Sequence, residues 1–425
     1  MKKFQVVILA AGQSSRFWPL NQNHKSQINI LGKPLIFWTI KNLTLIGIKD
    51  IILVLNKNSF SDETLKEIKK LNVKISCVFQ KKFLGTGNAL FQARNLIKKP
   101  FLVLHPYKFY IKDILDEILR KSKNSKIVLV GCPTKSPEDY GILEFKNKKV
   151  IKIWENPQKG KIPSSIRTLG IYFLYPDFFK YYQKVKHSES DLVDAINLLI
   201  KERKAEFVLF KKEIPSFKHP WDTLAMLKMI FQSKNFKNHI SKTAKIGKNV
   251  IINGKVYIGE NVEIKEGTIL NNPCFIGDNC KIGPYNVFRG PVNLEKEVIT
   301  GAFSEVKNCL IQERTHIHSG YFGDSIIGKN CRFGAGFISA NRRLDRKNIK
   351  SKIKGKKIDT GLSYFGFVVG NNTRFGIEAQ TMPGVLIGSN CIIGPGTQVF
   401  EDIKDNTIFY SVQKYQKEKN LNEKN

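Results

Sequence analysis

The chain has 425 residues, 42% of them apolar and 11% aromatic, and carries 70 Lys and Arg against 36 Asp and Glu, a net charge of +34. This composition excludes a disordered chain, and at roughly 100–200 residues per domain the length allows two or three domains with real cores. The longest apolar runs, such as 4–11, fall far short of the ~20 residues of a membrane-spanning helix. Two lysines followed by a short strand without a small-residue cleavage site do not make a signal peptide, so a cytoplasmic protein with no membrane partner is expected.

In chain order, β-rich runs at 6–9, 50–55, 74–79, 101–104 and 127–130 alternate with amphipathic stretches at 34–45, 62–71, 89–98 and 111–123. That alternation predicts a parallel sheet covered by helices, an α/β Rossmann-like domain over 1–233 that ends in a closing helix at 224–231. A polar stretch at 234–240 reads as a linker.

Beyond it the rhythm changes to six. Ile246, Ile252, Ile258, Ile264, Leu270, Ile276, Ile282, Phe288 and Leu294 are each six apart, with Gly following at 247, 259, 277 and 283. The register slips near 310 and resumes at Ile327-Gly328 and Phe333-Gly334. After a longer loop it returns at Val369, Phe375, Thr381, Ile387, Ile393 and Val399. One inward apolar residue per side and a small residue at the corner is what a three-sided β-helix requires, with stacked coils sharing one core. The expected span is 241–404, followed by a loose charged tail at 405–425. Cys274, Cys280, Cys331 and Cys391 occupy small-residue positions of the repeat, and the seven cysteines contain no C-x-x-C pair, so neither a disulfide framework nor a zinc site is expected.

The first strand runs into Ala10-Ala11-Gly12-Gln13-Ser14-Ser15-Arg16. A small-residue turn there lets backbone N–H groups approach a phosphate, and Arg16 and Lys25 could neutralise a triphosphate. The loop and the segment through Gly32-Lys33-Pro34 resemble the opening of sugar-1-phosphate nucleotidylyltransferases. Gln80 with Leu84-Gly85-Thr86-Gly87-Asn88, Tyr140-Gly141, Glu155-Asn156-Pro157, Gly170-Ile171-Tyr172 and Pro220-Trp221-Asp222 follow in the family's order. The resemblance implies that Ala11, Gly12, Ser14 and Ser15 hold nucleotide phosphates with Lys25 and Arg16 as catalytic cations. It further implies that Gln80, Gly85 and Thr86 read the base and that Glu155 and Thr168 face the sugar phosphate.

The departures are specific. Ser14 stands for the loop's second glycine and His24 for a proline before the signature lysine. The family's metal-binding Asp, in a Leu-Asn-Gly-Asp context, falls on Tyr107 of Leu104-His105-Pro106-Tyr107, and the second falls at about Ser216. Mg²⁺ is expected if the domain is active, yet Tyr and Ser are poor ligands for a hard cation, and Asp113 or Asp222 are the carboxylates that could substitute. The metal ligands stay open.

The register slip coincides with a second constellation: Glu305-Val306-Lys307, then His316-Ile317-His318-Ser319-Gly320-Tyr321-Phe322-Gly323-Asp324, then Asn341. This stretch, together with the run from Arg342 to Gly361 and Met382-Pro383-Gly384, resembles the acetyltransferase half of bifunctional glucosamine-1-phosphate acetyltransferase / N-acetylglucosamine-1-phosphate uridylyltransferases, especially the archaeal type. With the N-terminal half, the resemblance covers nearly the whole chain. It implies a left-handed parallel β-helix, a homotrimer with sites between neighbouring chains, and acetyl-CoA as co-substrate. By position His318 is the general base, a role suited to an imidazole near neutral pH. His316 is the rival base, but its offset to Tyr321 does not fit. Tyr321 and Asn341 would position the reacting groups. Arg289, Lys307, Lys347 and Lys350 would bind the sugar phosphate, and Gly376, Ile377 and Gly394 fall where coenzyme A lies. Lys307 is one residue closer to His318 than in the family, and Arg332 replaces a sugar-contacting Asn.

The reading is therefore a two-domain enzyme of sugar-nucleotide biosynthesis acting on small molecules: acetyl transfer to an amino-sugar-1-phosphate by the C-terminal domain and nucleotidyl transfer from UTP or dTTP to a sugar-1-phosphate by the N-terminal domain, the latter impaired if Tyr107 and Ser216 cost it the metal. One alternative is an acetyltransferase whose N-terminal domain only senses or scaffolds. The other is a non-catalytic polyanion binder, supported only by the charge. Lysines spread along the whole chain make most of that excess background, so no specific nucleic-acid partner is expected. The basic loop at 342–357 is a concentration suited to anionic substrates.

Overall fold

A computed structural model describes residues 4–56, 60–147, 149–412 and 414–418. Residues 1–3 and 419–425, the ends of the expected first domain and tail, lie outside the described residues. The chain divides into two compact units, Met1–Phe17 with Asn21–Asp222, and Trp18–Leu20 with Thr223–Asn425.

In the first unit β1 (Gln5–Leu9), α1 (Leu35–Leu45), β2 (Asp50–Leu55), α2 (Asp62–Lys69), β3 (Lys74–Phe79), α3 (Thr86–Gln92), β4 (Phe101–Leu104), α4 (Leu115–Ser122) and β5 (Val128–Pro133) follow the predicted alternation closely. Four of the five β1 residues are buried, as befits a strand covered on both faces, and it pairs in parallel with β2 and β4. The sheet is not wholly parallel. After β5 the chain makes a hairpin, β6 (Gly141–Lys146) and β7 (Lys149–Glu155). It then re-enters as β8 (Ile166–Leu174), antiparallel between β4 and β5. No crossover helix intervenes, so the chain returns from the opposite end and a parallel pairing is closed to it.

The second unit is a three-sided parallel β-helix, the left-handed fold that the hexapeptide repeats lead one to expect. Ile258 stacks on Ile276, Ile264 on Ile282 and Leu270 on Phe288, so each coil takes three hexapeptides. These side chains form one continuous buried column with Phe333, Val369, Phe375, Ile387, Ile393 and Val399. Cys274, Cys280, Cys331 and Cys391 are buried within it as free thiols. Many corners carry Asn in the left-handed region, such as Asn261, Asn279, Asn330, Asn372, Asn390 and Asn406 at φ between 54° and 60°. Asn tolerates that conformation, and here its amide bonds the Asn one coil along, as in Asn330 to Asn372 (3.0 Å) and Asn372 to Asn390 (3.1 Å). Beyond Thr300 the coils tighten: Thr300 pairs with Ile317 and Ile317 with Phe333. The loop between Phe333 and Phe375 holds an antiparallel hairpin, Lys350–Ile353 with Lys356–Asp359.

Three expectations shift. Ile246, expected inward, is 41% exposed because it lies in the first coil, with no earlier coil paired below it. The boundary expected at 233 falls at 222–223, and the segment 234–240 is not a free linker. Phe236 is buried with its ring edge-on to Phe231 (4.7 Å), the Asn238 side chain accepts the Val256 N–H, and His239–Ile240 is the first strand of the β-helix. The tail expected from 405 begins later, because Ile408 and Phe409 pair with Ile392 and Ile393 and continue the stack.

Candidate functional sites

In the first unit, Ala11 is buried under the turn after β1, while Gly12, Ser15 and Arg16 are exposed above it. Ser14 adopts φ 54°, a left-handed conformation that suits the glycine it replaces. Its hydroxyl repays part of that cost by accepting the Lys25 N–H (3.0 Å). His24 is buried against Ser26 (Nδ1 to Oγ 2.8 Å), and burial lowers its pKa to about 3, so it is a neutral imidazole.

Lys25 lies with its ammonium 5.0 Å from the Tyr107 ring centre and 5.5 Å from that of Phe217, and donates to the Phe217 carbonyl. Desolvation lowers its pKa to about 8, with Lys218 and Arg16 assisting and Asp222 opposing. Tyr107 stacks on His105 at 5.5 Å, and burial raises its phenol further above its ordinary range, so it offers no anionic oxygen. Ser216 donates to Asp222 (3.0 Å), and the same Asp222 oxygen also accepts the Lys218 and His219 N–H groups (2.6 and 2.9 Å). Asp222 opens the helix Asp222–Gln232 and ties back the turn that precedes it, and Asp113 is exposed at the end of a 3₁₀ turn. Among the described residues no three His, Cys, Asp or Glu side chains are grouped to hold a metal ion. The residues at the expected Mg²⁺ position do not fit a hard divalent cation.

Gln80 is buried and donates to the Gly85 carbonyl and to Asn88 (both 3.0 Å). Gly85 has φ 95°, and a Cβ there would lie 2.5 Å from the Ser188 carbonyl, so this position requires glycine. Thr86 opens α3 beside it. Sequence reasoning missed Asp191, fully buried, whose two oxygens accept the Gly87 and Asn88 N–H groups (2.7 and 3.0 Å). Across the sheet, a Cβ on Gly141 would meet both Glu155 and Thr168 at 2.9 Å, so these two expected residues do converge.

In the β-helix, Asp324 is the hub. It is buried at φ 50° and takes Lys307 Nζ (3.1 Å), Asn308 Nδ2 (2.8 Å) and Asn341 Nδ2 (2.6 Å). Asn341 also reaches the Tyr321 hydroxyl (3.0 Å), whose pKa is raised by burial and by Asp324. Arg289 sits one coil below Lys307 in register and pairs with Glu305. Four of the residues expected to act together, Lys307, Tyr321, Asn341 and Arg289, are thus assembled on adjacent coils. Tyr364 was missed: its ring lies 4.4 Å from the Lys307 ammonium and 4.6 Å from the Arg342 guanidinium. It comes from the far end of the inserted loop, so no local spacing points to it.

His318 is exposed, and among the described residues its ring has no hydrogen-bond partner; only its backbone is fixed, by Phe333. The ring of His316, by contrast, is engaged by Arg332. Lys347 and Lys350 are exposed on the inserted loop. Gly376 and Gly394 have a packing reason of their own: a Cβ at Gly376 would meet Pro395 at 2.5 Å and one at Gly394 would meet Tyr410 at 2.6 Å, while Ile377 between them is 57% exposed.

A doubly covered α/β domain with a small-residue loop, followed by a hexapeptide β-helix bearing this polar cluster, defines a two-domain transferase. Residues 5–224 match the nucleotidyl transferase family. The "Bifunctional protein GlmU" of Methanococcus maripaludis (strain C7) is 37% identical over 412 residues, 95% of this chain and 96% of its own. That of Methanocaldococcus jannaschii is 36% identical over 410 residues, 95% and 97% of the two chains. A Sulfurisphaera tokodaii protein named "Bifunctional sugar-1-phosphate nucleotidylyltransferase/acetyltransferase" is 35% identical over 414 residues, 95% and 98%. The chain belongs to this family of bifunctional nucleotidylyltransferase/acetyltransferases.

Proposed function

We propose that the β-helix transfers an acetyl group from acetyl-CoA to an amino-sugar-1-phosphate of the glucosamine-1-phosphate type, and that the first domain couples the product to a nucleotide from UTP or dTTP. The observation that carries the first half is the Asp324-centred cluster of Lys307, Asn308, Tyr321 and Asn341 a few residues from a free His318. Lys307 and Arg289 neutralise the sugar phosphate. His318 takes a proton from the amine as it attacks the thioester carbonyl, and the coenzyme A thiolate leaves. Tyr321 and Asn341, held by Asp324, orient the reacting groups. Lys347 and Lys350 serve the anionic substrates from the inserted loop, and Gly376, Ile377 and Gly394 line the coenzyme.

In the first domain, Ala11, Gly12, Ser14 and Ser15 present the turn to the nucleotide phosphates, with Arg16 and Lys25 as cations. Gln80, Gly85 and Thr86 receive the base, and Glu155 and Thr168 receive the sugar. The family's magnesium is not carried over, because Tyr107 and Ser216 do not suit it. A cytoplasmic homotrimer completes the reading. Exposed Tyr285 and Phe303, stacked at 5.6 Å on one face of the β-helix, offer apolar surface to a second copy. No helix among the described residues is long and apolar enough to cross a membrane.

The test is a paired assay on the full chain. Thiol release from acetyl-CoA with glucosamine-1-phosphate and pyrophosphate release from UTP with the acetylated product are both expected. Thiol release absent with every amino-sugar-1-phosphate tried would refute the acetyltransferase half.

A further inference from the structure

Tyr107 is surrounded by cations. Lys25 lies over its ring, and Lys108 lies 5.1 Å from its centre and 5.7 Å from that of Tyr110. Lys108 is only 7% exposed, and among the described residues no carboxylate or carbonyl accepts a hydrogen bond from its ammonium. Arg167, 5% exposed, gives one nitrogen to the Ile214 carbonyl and lies 4.0 Å from the Tyr140 ring centre, but among the described residues its Nε is buried without a hydrogen-bond partner, and so is the Tyr110 hydroxyl. Asp222 is the carboxylate nearby, and its bonded oxygen is spent on Ser216, Lys218 and His219.

Buried cations without anionic partners are costly, and donors left open in one place call for an acceptor. Aromatic faces can hold a lysine poised but do not neutralise it. A phosphate supplies several anionic oxygens and matches both guanidinium and ammonium donors. Desolvation by burial lowers the pKa of Lys108 to about 7, with Arg167 assisting, and that of Lys25 to about 8, where Asp222 partly opposes it, so an incoming phosphate would hold both ammonium groups in the charged form.

We propose that Lys108, Lys25 and Arg167 form a phosphate-binding cluster around Tyr107 that stands in for the divalent cation of the family, so that a phosphorylated substrate binds this domain without magnesium. The proposal rests on the nucleotide- and sugar-binding reading of the first domain given above. Nucleotide triphosphate and sugar phosphate share the chemistry, and the experiment separates them.

The full chain is titrated calorimetrically with UTP and, separately, with N-acetylglucosamine-1-phosphate, the acetylated sugar phosphate that the first domain would take, each in EDTA and in Mg²⁺. At least one ligand is expected to bind in EDTA with a Kd within threefold of that in Mg²⁺, and the arm that binds identifies whose phosphate is held. Lys108→Met is expected to weaken that binding at least tenfold and Lys108→Arg to restore most of it. Neither variant should melt below the parent or lose acetyl transfer. Binding that appears only with Mg²⁺, or that Lys108→Met leaves unchanged, overturns the proposal while the wider reading of the domain stands. Absence of binding by either ligand in both conditions overturns the two together.

Discussion

Two histidines two residues apart have been given different surroundings. His316 is held by Arg332, whereas the His318 ring is exposed and, among the described residues, has no hydrogen-bond partner. His318→Ala is therefore expected to lower kcat for acetyl transfer by ~10²–10⁴, the usual worth of a general base, and His316→Ala by no more than a few-fold. Initial rates of thiol release decide it; the reverse ranking would exchange the roles. Asp324→Asn isolates the charge of the hub, because Asn tolerates the left-handed backbone that Asp324 adopts. It leaves Lys307 without its counter-ion, so about 3 kcal/mol of stability should be lost and KM for the sugar phosphate should rise; thermal melts and kinetics measure both. Lys25 gives a pH signature. Its pKa is about 8 folded against 10.5 ordinarily, so over that window the unfolded chain holds a proton that the native chain lacks, and stability rises with pH. Lys25→Met should flatten that rise in urea unfolding measured at pH 8, 9 and 10. Tyr107 and Ser216 were legible as departures in the sequence. What they leave behind was not, since Lys108 and Arg167 belong to no motif and meet only in the fold.

At the scale of elements, the period of six made the β-helix legible because each coil repeats one small set of inward side chains. The same logic explains Ile246, which keeps the pattern at a position with no coil beneath it. The antiparallel β8 was hidden, because strand direction depends on where the hairpin β6–β7 returns the chain rather than on any residue of β8. The loop before α3 shows both cases. Gly85 was singled out by resemblance, whereas Asp191, which fixes the first turn of that helix, lies a hundred residues away in sequence. Gly85→Ala should cost ~1–3 kcal/mol, since it adds a Cβ at a positive φ and 2.5 Å from a carbonyl. The readout is the melting temperature together with nucleotide affinity. A variant that melts and binds like the parent would show the loop to be freer than the contacts around Gly85 imply.

At the scale of the molecule, the two units carry different chemistry on different physical grounds. The first carries a small-residue turn and buried cations, which the reading above assigns to phosphates, and the second carries a hub of one carboxylate, two amides, a lysine and a phenol beside a free imidazole. Family membership joins them in one chain, and in the proposed reading the acetylated product of the second unit is the substrate of the first. The net charge of +34 is spread along both units, and the share with a defined setting is the part around Tyr107 and on the inserted loop. The most direct test is a single reaction containing the purified chain, glucosamine-1-phosphate, acetyl-CoA and UTP, resolved by mass spectrometry. The account predicts an acetylated amino sugar linked to a nucleoside diphosphate, with free coenzyme A and pyrophosphate in equal amounts. Acetylated sugar phosphate that accumulates without any nucleotide-linked product, or no acetylation at all, would contradict it.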